Sequence, residues 1–209
     1  MLSKLIALIA PPLCLACGAH AGRAGPVCRT CRARMHASPG GWLAGSGRPC
    51  WTAFAYEGPA GALVRALKFH GRLGVADLMA AQVAALAPPD LLRGTVVPVP
   101  IHPVHARRRG VDHSAALARA LARRTGLAFA RCLTRSGDPR PQVGRGRRAR
   151  IGGPLGSISV RSGIAVPATV VLVDDVVTTG ATIAACIGVL TAAGTREASA
   201  VAYARTTGR

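Results

Sequence analysis

Asp174 and Asp175 are neighbouring carboxylates in a chain with only eight acidic residues against 27 basic ones. They follow the apolar run Val170 to Val173 and precede Val176-Val177. A turn of small residues comes next, Thr178-Thr179-Gly180-Ala181-Thr182. Backbone N–H groups of such a turn can all point at one anion, and residues without bulky side chains let it approach closely. Two carboxylates beside a simple anion site would repel the anion. Their presence fits a sugar diol, whose hydroxyls they accept hydrogen bonds from, or a Mg²⁺ shared with a diphosphate. A ribose 5-phosphate satisfies both halves of the motif.

A second group of residues suited to chemistry lies near the N-terminus. Cys14, Cys17, Cys28 and Cys31 form C-x2-C-x10-C-x2-C. Four thiolates on two turns can close a tetrahedral structural Zn²⁺ site with no open position. His20 and His36 are nearby alternative ligands. Paired spacing favours a metal over disulfides and implies a reducing, cytoplasmic compartment. Cys50, Cys132 and Cys186 are scattered.

Both sites need elements to hold them. The β-branched run at 170–173 reads as a buried parallel strand, and Ile183, Ile187 and Leu190 mark a following helix that Gly194 terminates. The carboxylates then fall at the carboxyl end of a strand, where open α/β sheets bind ligands. Upstream, strands are expected over Trp51–Tyr56, Thr95–Ile101 and Leu127–Leu133, and a last one over Ala198–Ala204. Helices are expected from Ala60, with Leu63, Val64 and Leu67 inward, over Val75–Leu86, and after Arg107-Arg108-Arg109-Gly110. Asp112 or Ser114 would cap the last of these, with Leu117 and Leu121 inward. Pro98 and Pro100 break regular pairing after Val97. His102, His105 and His113 lack metal-ligand spacing and read as loop residues. Residues 134–156 form a long Arg-, Gly- and Pro-rich loop. Strands alternating with helices give an α/β fold with a parallel sheet. Its organisation is an N-terminal helix and knuckle at 1–37, a linker at 38–50 and a main domain at 51–209.

The net charge of +19 implies an anionic partner. The charge is nearly all Arg, and Asn is absent, a pattern that GC-rich coding bias also produces. Against that background Lys68, one of two lysines, stands out as a compact ammonium. Aromatic residues make up 3% of the chain, so binding of nucleic acid would be directed at phosphates rather than by stacking. The apolar run Leu5–Ala10 is too short to cross a bilayer and reads as a helix packed on the domain, with no stable membrane insertion.

The V-L-V-D-D-V-V-T-T-G-A-T run resembles the phosphoribosyl diphosphate (PRPP) signature of type I phosphoribosyltransferases. The four-Cys knuckle, Lys68 after a Y-x-G helix start, V-P-V-P, R-R-R-G and Gln142 before an Arg-rich stretch together resemble the ComF family of that superfamily. The likeness covers about residues 12 to 206. It implies a type I phosphoribosyltransferase-like fold and contacts from Asp174 and Asp175 to ribose hydroxyls and Mg²⁺. It also implies a 5-phosphate held by Thr178, Thr179, Gly180, Ala181 and Thr182, and further PRPP or phosphate contacts from Lys68, Arg109 and Gly110. Arg145, Arg147 and Arg148 would sit on a mobile loop over the site. Transfer of phosphoribose from PRPP is the implied activity, and DNA uptake in natural competence the implied setting. Single-stranded DNA and the competence machinery would be partners. A non-catalytic PRPP sensor or a single-stranded-DNA-binding protein would use the same residues. The acceptor is left open, since Val111-Asp112-His113 stand where ComF proteins usually carry Phe-Asn-Gln.

Overall fold

Residues Val170 to Val173 are apolar on both sides because both faces of their strand are covered. The computed structural model describes residues 13–21, 26–38, 41–42, 49–70, 73–104, 107, 110, 112–136 and 157–206. The expected helix at Leu5–Ala10, His105, Arg109 and the 137–156 part of the basic loop, with Arg145, Arg147 and Arg148, lie outside the described residues. In chain order the elements are α1 (Arg29–Ala33), β1 (Gly41–Trp42), β2 (Pro49–Ala55), α2 (Gly58–His70), α3 (Leu73–Leu86) and β3 (Thr95–Pro98). Then come α4 (His113–Thr125), β4 (Ala128–Phe129), β5 (Leu133–Arg135), β6 (Ile158–Val160), β7 (Thr169–Val177), α5 (Ala181–Ala192) and β8 (Glu197–Arg205).

The main sheet has the order β1-β2-β8-β7-β3-β4. All pairs are parallel except β1 with β2, so five strands form a parallel sheet with an antiparallel edge strand. On one face Leu63, Val64 and Leu67 of α2, Val75 and Met79 of α3, and Leu117 and Leu121 of α4 pack against Val171, Val173 and Tyr203. On the other, Ile183, Cys186, Ile187 and Leu190 of α5 pack against Val170, Leu172 and Ala200, with Leu133 and Ile158 of the β5–β6 hairpin. Gly94 enters β3 at φ +79, and a Cβ there would fall 2.3 Å from the Thr169 carbonyl oxygen. That close approach leaves room only for glycine where β3 and β7 start.

Two expectations change. Leu127–Leu133 is not one strand: Ala128–Phe129 joins β3 in the main sheet, whereas Leu133–Arg135 turns away to pair with Ile158–Val160. The central strand does not stop before the carboxylates. It runs through them to Val177, because β8 continues alongside and pairs Asp174 with Ala202 and Val176 with Ala204. Within the expected linker, Gly41-Trp42 pair with β2, and just before it Ala37 bridges to Phe54. In the knuckle, Cys14, Ala21, Val27 and Cys31 share the buried cluster of α2, α3 and β8.

Candidate functional site

Successive side chains of a strand alternate between faces, so the two carboxylates of β7 meet different surroundings. Asp175 is 2% exposed. Its Oδ2 lies 2.8 Å from Lys68 Nζ of α2, and its Oδ1 lies 3.7 Å from His113 Nε2 at the start of α4. Lys68 is held in place by its neighbours Val64 and Leu67, which anchor α2 in the core. Sequence reasoning places Lys68 at a phosphate; the structure pairs it with Asp175. Charges removed from water need such a partner.

Asp174 is half-buried. Its Oδ1 accepts from Ser114 Oγ at 3.0 Å and from the Asp175 N–H at 2.8 Å. Loss of solvent, and then the negative charge of Asp175, hold Asp174 well above the usual carboxylate range. The folded chain keeps a proton here that the unfolded chain releases. This contribution is therefore full below the ordinary carboxylate value and is lost as pH rises through the raised one. Asp174→Asn keeps an oxygen for Ser114 and removes the charge. We expect the ligand-free variant to melt at a higher temperature than the parent at pH 8, with the gap closing towards pH 4. A variant that melts lower at pH 8 would show that Asp174 stabilises the fold.

Asp112 caps α4 through a bond from the Ala115 N–H at 3.0 Å, as its position before the helix predicts. His113 is no loop residue: it opens α4 and is buried facing Asp175. His102 is buried too, with Nδ1 accepting from Val104 N–H at 3.2 Å. Sequence reasoning offered Ser114 only as a cap and His113 only as a loop residue, since the packing of α4 on β7 is what brings them to the carboxylates.

The turn after β7 contains Thr178 and Thr179, both exposed, and Gly180. Gly180 adopts φ +79 and stands at the N-cap of α5 without a side-chain cap. That conformation favours glycine, and the missing cap leaves the first helical N–H groups, at the positive end of the helix dipole, to another acceptor. Ala181 N–H reaches only Thr179 Oγ1 at 3.4 Å, and Thr182 is half-buried in the first turn. Pro98 pairs with Val173, and Val99 N–H bonds the Val173 carbonyl, so the V-P-V-P segment leaves the sheet beside Asp174. Gly110, at φ +68, lies on the way to α4.

At the other end of the chain the sulfur atoms of Cys14, Cys17, Cys28 and Cys31 all lie within 4.8 Å of one another. Cys17 Sγ and Cys28 Sγ are 3.9 Å apart. A tetrahedral Zn–S site with bonds near 2.3 Å has an edge of about 3.8 Å, so the donor set fits that ion. Cys14 Sγ accepts from Cys28 N–H at 3.3 Å, and Cys28 Sγ from Cys31 N–H at 3.4 Å. Burial alone would raise Cys14; backbone N–H groups of Cys28 and Cys17 outweigh it and bring the thiol to about 6. His36 Nδ1 lies 2.9 Å from Glu57 Oε1, away from the thiols. Among the described residues, no helix is long and apolar enough to cross a membrane.

No family model and no curated protein matches the chain. Among solved structures it is similar to the allosteric regulatory enzyme of purine biosynthesis, at 20% identity and TM-score 0.46 over 66% of this chain and 30% of that one. It is similar to glutamine PRPP amidotransferase from B. subtilis, complexed with ADP and GMP, at 19% and 0.45, again over 66% and 30%. The chain thus spans less than a third of the length of these two proteins. Orotate phosphoribosyltransferase from Aeropyrum pernix gives 19% and 0.37 over 82% of this chain and 75% of that one.

Proposed function

We propose that this chain binds PRPP with Mg²⁺ at the end of β7 and transfers its phosphoribosyl group to an acceptor. The observation that carries the reading is the order of groups along one segment. Asp174, held by the Ser114 hydroxyl, is followed by Asp175 and then by the uncapped Gly180 turn at the start of α5. Asp174 would accept from the ribose hydroxyls and would help to hold Mg²⁺, a hard cation suited to carboxylate oxygen. Thr178 to Thr182 hold the 5-phosphate. Asp175 keeps Lys68 fixed and neutralised beneath the sugar. In the transfer, the anomeric carbon loses its bond to diphosphate and gains one to the acceptor, whose proton leaves to solvent. Bound Mg²⁺ supplies charge neutralisation for the departing diphosphate. The cysteine knuckle holds Zn²⁺. We assign the chain to the ComF type, with a role in DNA uptake, on its motifs and its +19 charge.

Mg-PRPP at a hundred times its Kd stabilises a one-site protein by about 2.7 kcal/mol, or roughly 5–10 °C for a chain of this size. We expect that rise in the parent, its loss in Asp174→Ala, and diphosphate release once an acceptor is supplied. No rise at millimolar Mg-PRPP would sink the reading. Binding without diphosphate release against a panel of bases and oligonucleotides would favour a PRPP sensor instead.

A further inference from the structure

A cavity of about 180 Å³ opens between the V-P-V-P segment, the start of α4 and the β5–β6 hairpin. Its walls join three separate parts of the chain. Pro98, Pro100 and Pro103 supply flat apolar surface, and Arg131, Arg135 and Arg161 supply positive charge. One carboxylate, Asp112, also lines it and is spent twice: Oδ1 caps α4, and Oδ2 accepts from Arg131 Nη2 at 2.6 Å. Arg161 is steered by a bond from its Nε to the Leu133 carbonyl at 3.1 Å, which leaves its outer nitrogens to another acceptor. Arg135, half-buried, has no side-chain ion pair or hydrogen bond among the described residues. Three cations against one committed anion leave the cavity positive.

Asp174 and Asp175 do not line the cavity, but two of its lining residues connect to their strand. Pro98 is in register with Val173, the residue before Asp174. Asp112 is two residues from Ser114, whose hydroxyl bonds Asp174. We propose that this cavity is the acceptor's recognition site, and that the acceptor is a small organic acid whose carboxylate or phosphate pairs with Arg135 and Arg161 while its body lies against the prolines. Guanidinium forks match both oxyanions in bidentate geometry. At this volume the cavity takes one compact ring or chain, not a run of nucleotides. That the bound acid is the acceptor rests on the PRPP reading above; that the cavity binds an oxyanion does not.

The test uses the full chain and three probes of one shape: benzoate, phenyl phosphate and neutral benzamide. Calorimetry should show one or both anions binding at least tenfold more tightly than benzamide, and their ratio tells carboxylate from phosphate. Arg135→Gln should raise the Kd of the preferred anion at least tenfold while keeping the Mg-PRPP melting shift. Arg161→Gln, at an exposed position, serves if Arg135→Gln misfolds, and Arg123→Gln, on the far surface of α4, should change nothing. Equal binding of benzamide and the anions, or unchanged affinity in both cavity variants, overturns the site. Anion binding in a protein that ignores Mg-PRPP overturns the acceptor assignment alone and locates the failure in the donor reading.

Discussion

Stripping the metal from the knuckle should lower the melting temperature of the whole domain by 10 °C or more. The purified protein is expected to carry one zinc per chain, and Cys14→Ser to carry none. Structural zinc in small domains contributes on the order of 10 kcal/mol of binding energy to folding. Here only part of that is lost, because the sheet has its own core. The loss still spreads, since Cys14, Val27 and Cys31 lie in one buried cluster with Leu63, Met79 and Tyr203. Residues next to the knuckle are tied in as well: Ser38 N–H bonds the Ala53 carbonyl at 3.1 Å, and Ala55 N–H bonds that of His36 at 3.0 Å. Scanning calorimetry on zinc-loaded and chelated protein measures this. A chelated protein that melts within 2–3 °C of the loaded one would mean that the thiols only decorate the fold.

Lys68→Met should cost about 3–5 kcal/mol of stability, the range found when one partner of a buried pair is removed. The ammonium is 21% exposed and the carboxylate of Asp175 only 3%, so the charge left behind is the more deeply buried of the two. His113 stands 3.7 Å from the same carboxylate and, when protonated, would replace part of the lost charge. Urea unfolding of the parent and the variant measures the effect. Combining Lys68→Met with Asp175→Leu should recover most of the loss. A single variant within 1 kcal/mol of the parent, or a double variant no better than the single, would show that the pair is not the support of the site.

Periodicity made most of the scaffold readable. Leu63, Val64 and Leu67 revealed one face of α2, Leu117 and Leu121 one face of α4, and the valines of β7 a strand covered on both sides. Asp112 was readable as one of two candidate caps, with Ser114, because capping is local. What escaped was whatever depends on distant pairing. Lys68 and Asp175 meet only because α2 packs over β7. The β5–β6 hairpin was hidden because Ile158–Val160 is three residues long and follows a Gly- and Arg-rich stretch with no alternation to extend it. Arg131, Arg135 and Arg161 look like background in a chain full of arginine, and gain meaning only where the hairpin gathers them.

The strand order also has a consequence for how the chain reaches its fold. β7 and β8 form the middle of the sheet, yet both are synthesised after every other described strand. Trp51 must wait for Val201, and Val97 for Leu172. Contacts of such sequence separation make folding slow, and until they form β2 and β3 present unpaired edges. The four thiols of the knuckle all come from residues 14 to 31, so a metal bound there could close it early. Metal capture would then precede sheet assembly, giving α2 and α3 a surface to gather on while the centre of the sheet is still being made.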